Sequence, residues 1–239
     1  MATPGELVKV VAAATGTPPA TVFQHDRNLV VASLRTKGGR GTSAAKVTAR
    51  DAAHLFTAIL GSEQVKDSAE TVLRYADTVE HGSRIFNEHP QAFPRGRTET
   101  YAPLKAPDFN ALNEEHSFID ALTALITLAI DETFDLVIGR EPASCRVHVA
   151  WPRTRARIDI MPGDKPIIVR ADYGRFTGYA GGRPARAPQE RHGGPIERSA
   201  SMYSVPIRYA GALLGNRLNE LPPLTEARAD RPRRLRAHC

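Results

Sequence analysis

Three glycines in four residues, Gly38-Gly39-Arg40-Gly41, interrupt the first third of this chain at a point that no helix can cross. Glycine enters positive φ freely and disfavours regular structure, so the segment from Arg35 to Gly41 is expected to form a tight turn or hairpin. The flanks carry strong signals of their own. Residues 5–15 read as a helix that stops at Gly16, the usual helix terminator. Thr17-Pro18-Pro19 then makes a short turn, with Thr17 as the expected N-cap and the prolines where a first helical turn accepts them. A second helix follows from about Ala20 to Ser33. Its apolar positions Val22, Phe23, Leu29, Val30 and Ala32 are expected to face the first helix, leaving Gln24, His25, Arg27 and Asn28 on the opposite or flanking surface. Beyond the glycines, Thr48 caps a third helix over residues 49–60. Asp51 completes a variant of the capping box, and Ala52, Leu55, Phe56 and Ile59 form the buried stripe. Helix, tight turn, helix, basic hairpin, helix makes one unit over residues 1–62.

The middle of the chain keeps the helical period, which changes toward two only from Leu136. Val65, Ala69, Val72, Leu73, Ala76 and Val79 fall at helical spacing, and Gly82 is the expected end of a connecting helix within residues 63–86. Residues 87–109, rich in Pro, Gly and charge, read as a linker. Phe118, Ile119, Leu122, Leu125, Ile126, Ala129 and Ile130 predict an amphipathic helix whose apolar stripe is either core or a dimer face. Arg146 to Ala150, Arg155 to Ile160 and Ile167 to Ala171 read as three short strands of a small antiparallel sheet packed on that helix. Residues 174–200 read as a long loop, Ser204 and Pro206 open a last helix to about Leu218, and residues 221–239 form a basic tail. The expected fold class is therefore α+β: an N-terminal winged helix-turn-helix unit over residues 1–62, then a helical segment on a small antiparallel sheet over residues 110–220.

Charge is segregated along the chain. The net +6 divides into +4 over residues 1–62, −8 over residues 63–135 and +10 over residues 136–239. Basic ends suit an anionic partner, most often nucleic acid, although arginines on a solvated face produce the same count. The second helix has the dimensions to enter a DNA major groove, where Gln24 and Asn28 can pair with adenine and Arg27 with guanine. Thr17 and Thr21 stand where a helix N-terminus meets phosphate. Lys37 and Arg40 in the hairpin would neutralise phosphates, and Lys46 and Arg50 would extend that footprint. Arg153, Arg155 and Arg157 beside Trp151 make a cationic strand face, which either tracks a phosphate backbone or protects a sheet edge.

The element order resembles the winged-helix domain of MerR-like regulators. Carrying the likeness are Lys37-Gly-Gly-Arg-Gly41 and Val47-Thr-Ala-Arg-Asp51, with Leu55 and Ile59 following. The tract from Arg27-Asn-Leu to Asp51-Ala-Ala-His-Leu is also similar to uncharacterised proteins of alphaproteobacterial phages and prophages. The likeness covers about residues 5–62 and implies a reading helix followed by a basic wing. The aromatic-rich R-x-Y pattern of the MerR reading helix and wing is missing, so effector sensing by a MerR-type C-terminal helix is not implied.

Other classes find less support in the residues. Cys145 and Cys239 have no CxxC or His spacing, which argues against a disulfide framework and a structural zinc, and fits a reducing cytoplasm. The longest apolar run, Phe118 to Ile130, falls short of the roughly 20 residues that span a bilayer. No phosphate loop, GxSxG or HExxH occurs. His148, Asp159 and Asp172 with Cys145 make an imaginable constellation that no motif fixes. The expectation is a non-enzymatic, sequence-specific protein that binds double-stranded DNA as a homodimer, needs no cofactor or metal, and regulates transcription for a phage or mobile element. The alternative is a structural or DNA-packaging component of a phage-like particle.

Overall fold

Capping chemistry written into the sequence sets where the first helices begin. In the computed structural model, which describes residues 2–37, 46–87, 112, 116–138, 144–160, 167–174, 179–180, 183–184 and 198–224, helix α1 spans Pro4–Thr15. Thr3 and Glu6 form a capping box there, and Gly16 at φ 76° closes the other end in the left-handed region. Helix α2 spans Pro19–Val31, with Pro18 at the N-cap and no side-chain cap. Thr17, expected at that position, instead takes a hydrogen bond from the Thr15 hydroxyl at 2.9 Å. Helix α3 spans Ala49–Gly61 behind the Thr48–Asp51 box. A 3-10 turn, Val65–Asp67, leads into α4, Ser68–Ala76.

There the expected connecting helix ends early. Asp77 and Thr78 close α4, and Val79–Asn87 forms strand β1. Gly82, expected as a helix terminator, lies inside this strand, where the register shifts between Glu80 and Ser83. Glycine is a common residue at such a break. Local periodicity misses β1 because its partner, strand β4 (Ile167–Gly174), lies far along the chain, with Ser83 opposite Ala171.

The sheet is antiparallel throughout, in the order β1-β4-β3-β2-β7, with β2 at Cys145–Trp151, β3 at Arg155–Ile160, β4 at Ile167–Gly174 and β7 at Arg198–Tyr203. Two short strands, β5 (Tyr179–Ala180) and β6 (Arg183–Pro184), pair separately. β7 overturns part of the expected 174–200 loop, since Arg198, Ser199 and Ala200 pair with β2. Residues 88–109, 175–178 and 225–239, with most of that linker, loop and tail, lie outside the described residues.

Helices cover one face of the sheet. Val147, Val149, Ile158 and Tyr173 point into the core, while Arg146, Arg155 and Arg157 alternate to the other side. Helix α5, Phe118–Ile130, lies at the centre, with Phe118 against both Tyr75 and Tyr173. After the short α6, Phe134–Val137, the last helix α7 runs Ser204–Leu214 and crosses α5 closely. A Cβ on Gly211 would come within 2.3 Å of the Ala129 Cβ, so only glycine fits that crossing. The stripe of α5 is buried within one chain from Phe118 to Ala129, with Ile119, Leu122 and Leu125 at 0% exposure and only Ile130 half-buried, so it is core rather than a face for a second copy. One buried cluster joins Leu7, Val22 and Leu55 to Leu125, Ile158 and Ile207, and therefore runs across residue 62 without interruption. The protein is a mixed helix and antiparallel-sheet fold of the α+β class.

Candidate nucleic-acid interface

Helix α2 lies at the margin of the fold, and its burial follows a clean helical phase. Val22, His25, Asp26 and Leu29 are buried, whereas Ala20, Phe23, Gln24, Arg27 and Val31 are exposed along the opposite arc. This corrects the expected facing in three places, the first being Ala32, which is exposed at the C-cap of α2. Phe23 is 58% exposed, and His25 is buried. Hydrophobicity alone would turn Phe23 inward, but polar bonds on the buried side fix the rotation. The His25 ring meets the Ser68 hydroxyl at 2.8 Å, and Asp26 pairs with Arg35 at 2.7 Å. Buried polar groups that find such partners avoid a desolvation penalty of roughly 1–3 kcal/mol each. Burial holds the His25 imidazole below its ordinary pKa and raises that of the Asp26 carboxyl, against the pull of Arg35.

Of the expected DNA-contacting residues, some stand in position and others are engaged inside the fold. Gln24 and Arg27 share the exposed arc, with Gln24 donating to the Asn28 side chain at 3.3 Å. Asn28 itself donates to the Val65 carbonyl at 2.7 Å and so fastens α2 to the 3-10 turn. Thr17 and Thr21 are half-buried at the start of α2. Lys37 reaches back to Ser33 at 2.8 Å, just past the end of α2. Lys46 is exposed. Arg50 is on the other side of the loop, paired with Asp120 at 3.0 Å, and Arg40 lies outside the described residues.

One arrangement is hidden in the sequence. The Asp51 carboxylate accepts from the backbone and hydroxyl of Thr48, as a capping box requires, at 2.8 and 2.9 Å. It also accepts from the backbone and hydroxyl of Thr36, at 2.8 and 2.9 Å. A single side chain therefore ties together the two ends of the cationic, glycine-rich segment. Val47 is further held by its N–H to the Ala2 carbonyl, and the His54 ring contacts the Leu34 carbonyl. The Thr-x-x-Asp spacing shows the local half of this clasp, but nothing in the sequence marks Thr36 as the other half.

The cationic strand face is partly self-neutralised. Arg157 pairs with Asp172 at 2.7 Å and Arg170 with Asp159 at 2.6 Å, while the Arg146 guanidinium sits 5.2 Å from the centroid of the Tyr203 ring. Arg153 falls in the turn between β2 and β3, off the strand face that Arg155 and Arg157 share. The imagined constellation does not assemble. His148 meets the Ser201 hydroxyl at 2.9 Å on the outward face, Arg157 stands between it and Asp172, and Cys145 points into the core. Burial pushes the Cys145 thiol up to about 12, far from a reactive thiolate. Among the described residues no group of three or more His, Cys, Asp or Glu could hold a metal ion, and no helix is long and apolar enough to cross a membrane. The chain matches no family model, no curated protein and no solved structure.

Proposed function

We propose that this protein binds double-stranded DNA through the outward arc of α2, as a sequence-specific regulator of the winged helix-turn-helix kind. The observation that carries the reading is the arc itself. Ala20, Phe23, Gln24, Arg27 and Val31 stand clear of the core, with no carboxylate among them, because Asp26 is turned inward to Arg35. Lys37 continues the cationic path at the end of the helix. An α-helix with such an arc fits a major groove, Arg27 and Gln24 supply donors to base edges, and Lys37 and Lys46 supply phosphate contacts. In this reading α1 and α2 are the helix-turn-helix pair and the hairpin expected from Lys37 to Gly41 is the wing. The protein acts in the cytoplasm, binds as a homodimer and serves a phage or mobile element.

Gel-shift titration of the full chain against a pool of genomic fragments tests the reading. Arg27→Ala should cost about 1–3 kcal/mol on a preferred site and relax its sequence preference. Lys37→Ala should weaken all duplexes alike and lower the salt slope by about 1. Full affinity in an Arg27→Ala/Lys37→Ala double variant would sink the proposal. Tight binding without any preference among fragments would favour a DNA-packaging role instead.

A further inference from the structure

Four large apolar side chains are exposed among the described residues: Phe23, Val31, Leu73 and Leu136. Two of them belong to the outward arc of α2, where Phe23 is 58% and Val31 76% exposed. They stand eight residues apart with Arg27 midway, which is roughly 12 Å along the helix axis. That is the length of three to four base-pair steps. An obligate protein interface buries a large contiguous apolar patch, and here Arg27 and Gln24 interrupt the apolar positions. The arc fits a polar surface that bears isolated methyl groups. A major groove containing thymine is such a surface, because thymine alone of the four bases presents a C5-methyl there.

We propose that Phe23 and Val31 are specificity-determining residues that pack on thymine methyl groups, so that the preferred duplex carries thymines three to four steps apart around the base pair met by Arg27. This rests on the DNA-binding reading above and names the class of sequence it selects. Gln24, on the same arc, can pair with the adenine of an A·T pair.

The test compares thymine with uracil, which removes the methyl and leaves every other groove atom in place. Duplexes are first selected from a random pool with the full-length protein, and the best one is then remade with uracil. The wild-type protein should bind the uracil duplex about fourfold more weakly for each methyl lost. Phe23→Ala and Val31→Ala should each lose part of that discrimination and the double variant all of it, with unchanged thermal melting because both side chains are solvent-exposed. Arg27→Ala should bind more weakly and keep the thymine-to-uracil ratio. Equal wild-type affinity for the two duplexes overturns the proposal while leaving DNA binding intact. The proposal also fails if the double variant keeps the ratio, or if it loses self-association in sedimentation and keeps its DNA affinity. A pool from which no duplex is retained overturns the DNA-binding reading and this inference together.

Discussion

Helices α2 and α5 are both thirteen residues long, yet nine residues of α5 are buried against four of α2. Helix α5 has neighbours all round: α3, α4 and α7 pack on it, and Phe118 at its start touches aromatic rings from α4 and β4. Helix α2 has neighbours on one side only, in α1, α3 and α4. An apolar stripe by itself therefore says little about function. The stripe of α5 is more apolar than anything on α2, and it is core. What marks α2 is the reverse pattern, with polar groups turned inward, His25 against Ser68 and Asp26 in an ion pair with Arg35, while apolar groups are left outside.

The contrast can be broken most severely in α5. Leu125→Ala removes a fully buried side chain and should cost about 2–5 kcal/mol in chemical denaturation, whereas Phe23→Ala on α2 should change stability by less than about 0.5 kcal/mol. A comparable loss at Phe23 would mean that its ring is packed rather than exposed.

The buried histidines of α2 and α3 should make the protein acid-sensitive. Burial lowers the pKa of both His25 and His54 from the ordinary 6.5. The unfolded chain thus binds protons that the fold does not, and stability rises with pH over this range. The contribution is fully present above pH 6.5 and is lost as pH falls through the depressed values. Asp26 works in the opposite sense, because its raised pKa favours the protonated form in the fold. Thermal melts from pH 7.5 to 5 should show a fall that His25→Gln and His54→Gln each reduce. A flat profile would contradict the burial of these rings.

The smallest effect is expected at the surface pair that joins α5 to its neighbour α3. Arg50 and Asp120 are 55% and 36% exposed, so their ion pair is screened by water and salt. Arg50→Ala should cost no more than about 0.2–1 kcal/mol. It should also leave DNA affinity unchanged, against the expectation from sequence. A loss of affinity would return Arg50 to the interface.

What the sequence discloses follows from the range of each interaction. Helices α1 and α3 announce themselves through local chemistry, in the Gly16 terminator and the Thr48–Asp51 box. Strands β2, β3 and β4 show in alternation and in the short turns that join them. Strand β1 reads as helix because Val72, Ala76 and Val79 keep a helical spacing, and only pairing with distant β4 decides otherwise. The rotation of α2 escapes the sequence for a related reason. Its phase depends on Ser68 and Arg35, partners lying outside the helix, and hydropathy counts Phe23 as core whatever surrounds it.

The Asp51 clasp also bears on how this protein could change length. Because one carboxylate brings Thr36 and Thr48 together, the chain between them closes on itself whatever its composition. The entropy of such a closure grows only logarithmically, by about 0.6 kcal/mol for each doubling. Residues inserted between Lys37 and Lys46 should therefore leave α3 and the core undisturbed. This makes the segment a natural place for insertions to accumulate, and a practical one for grafting a tag or a reporter domain beside α2.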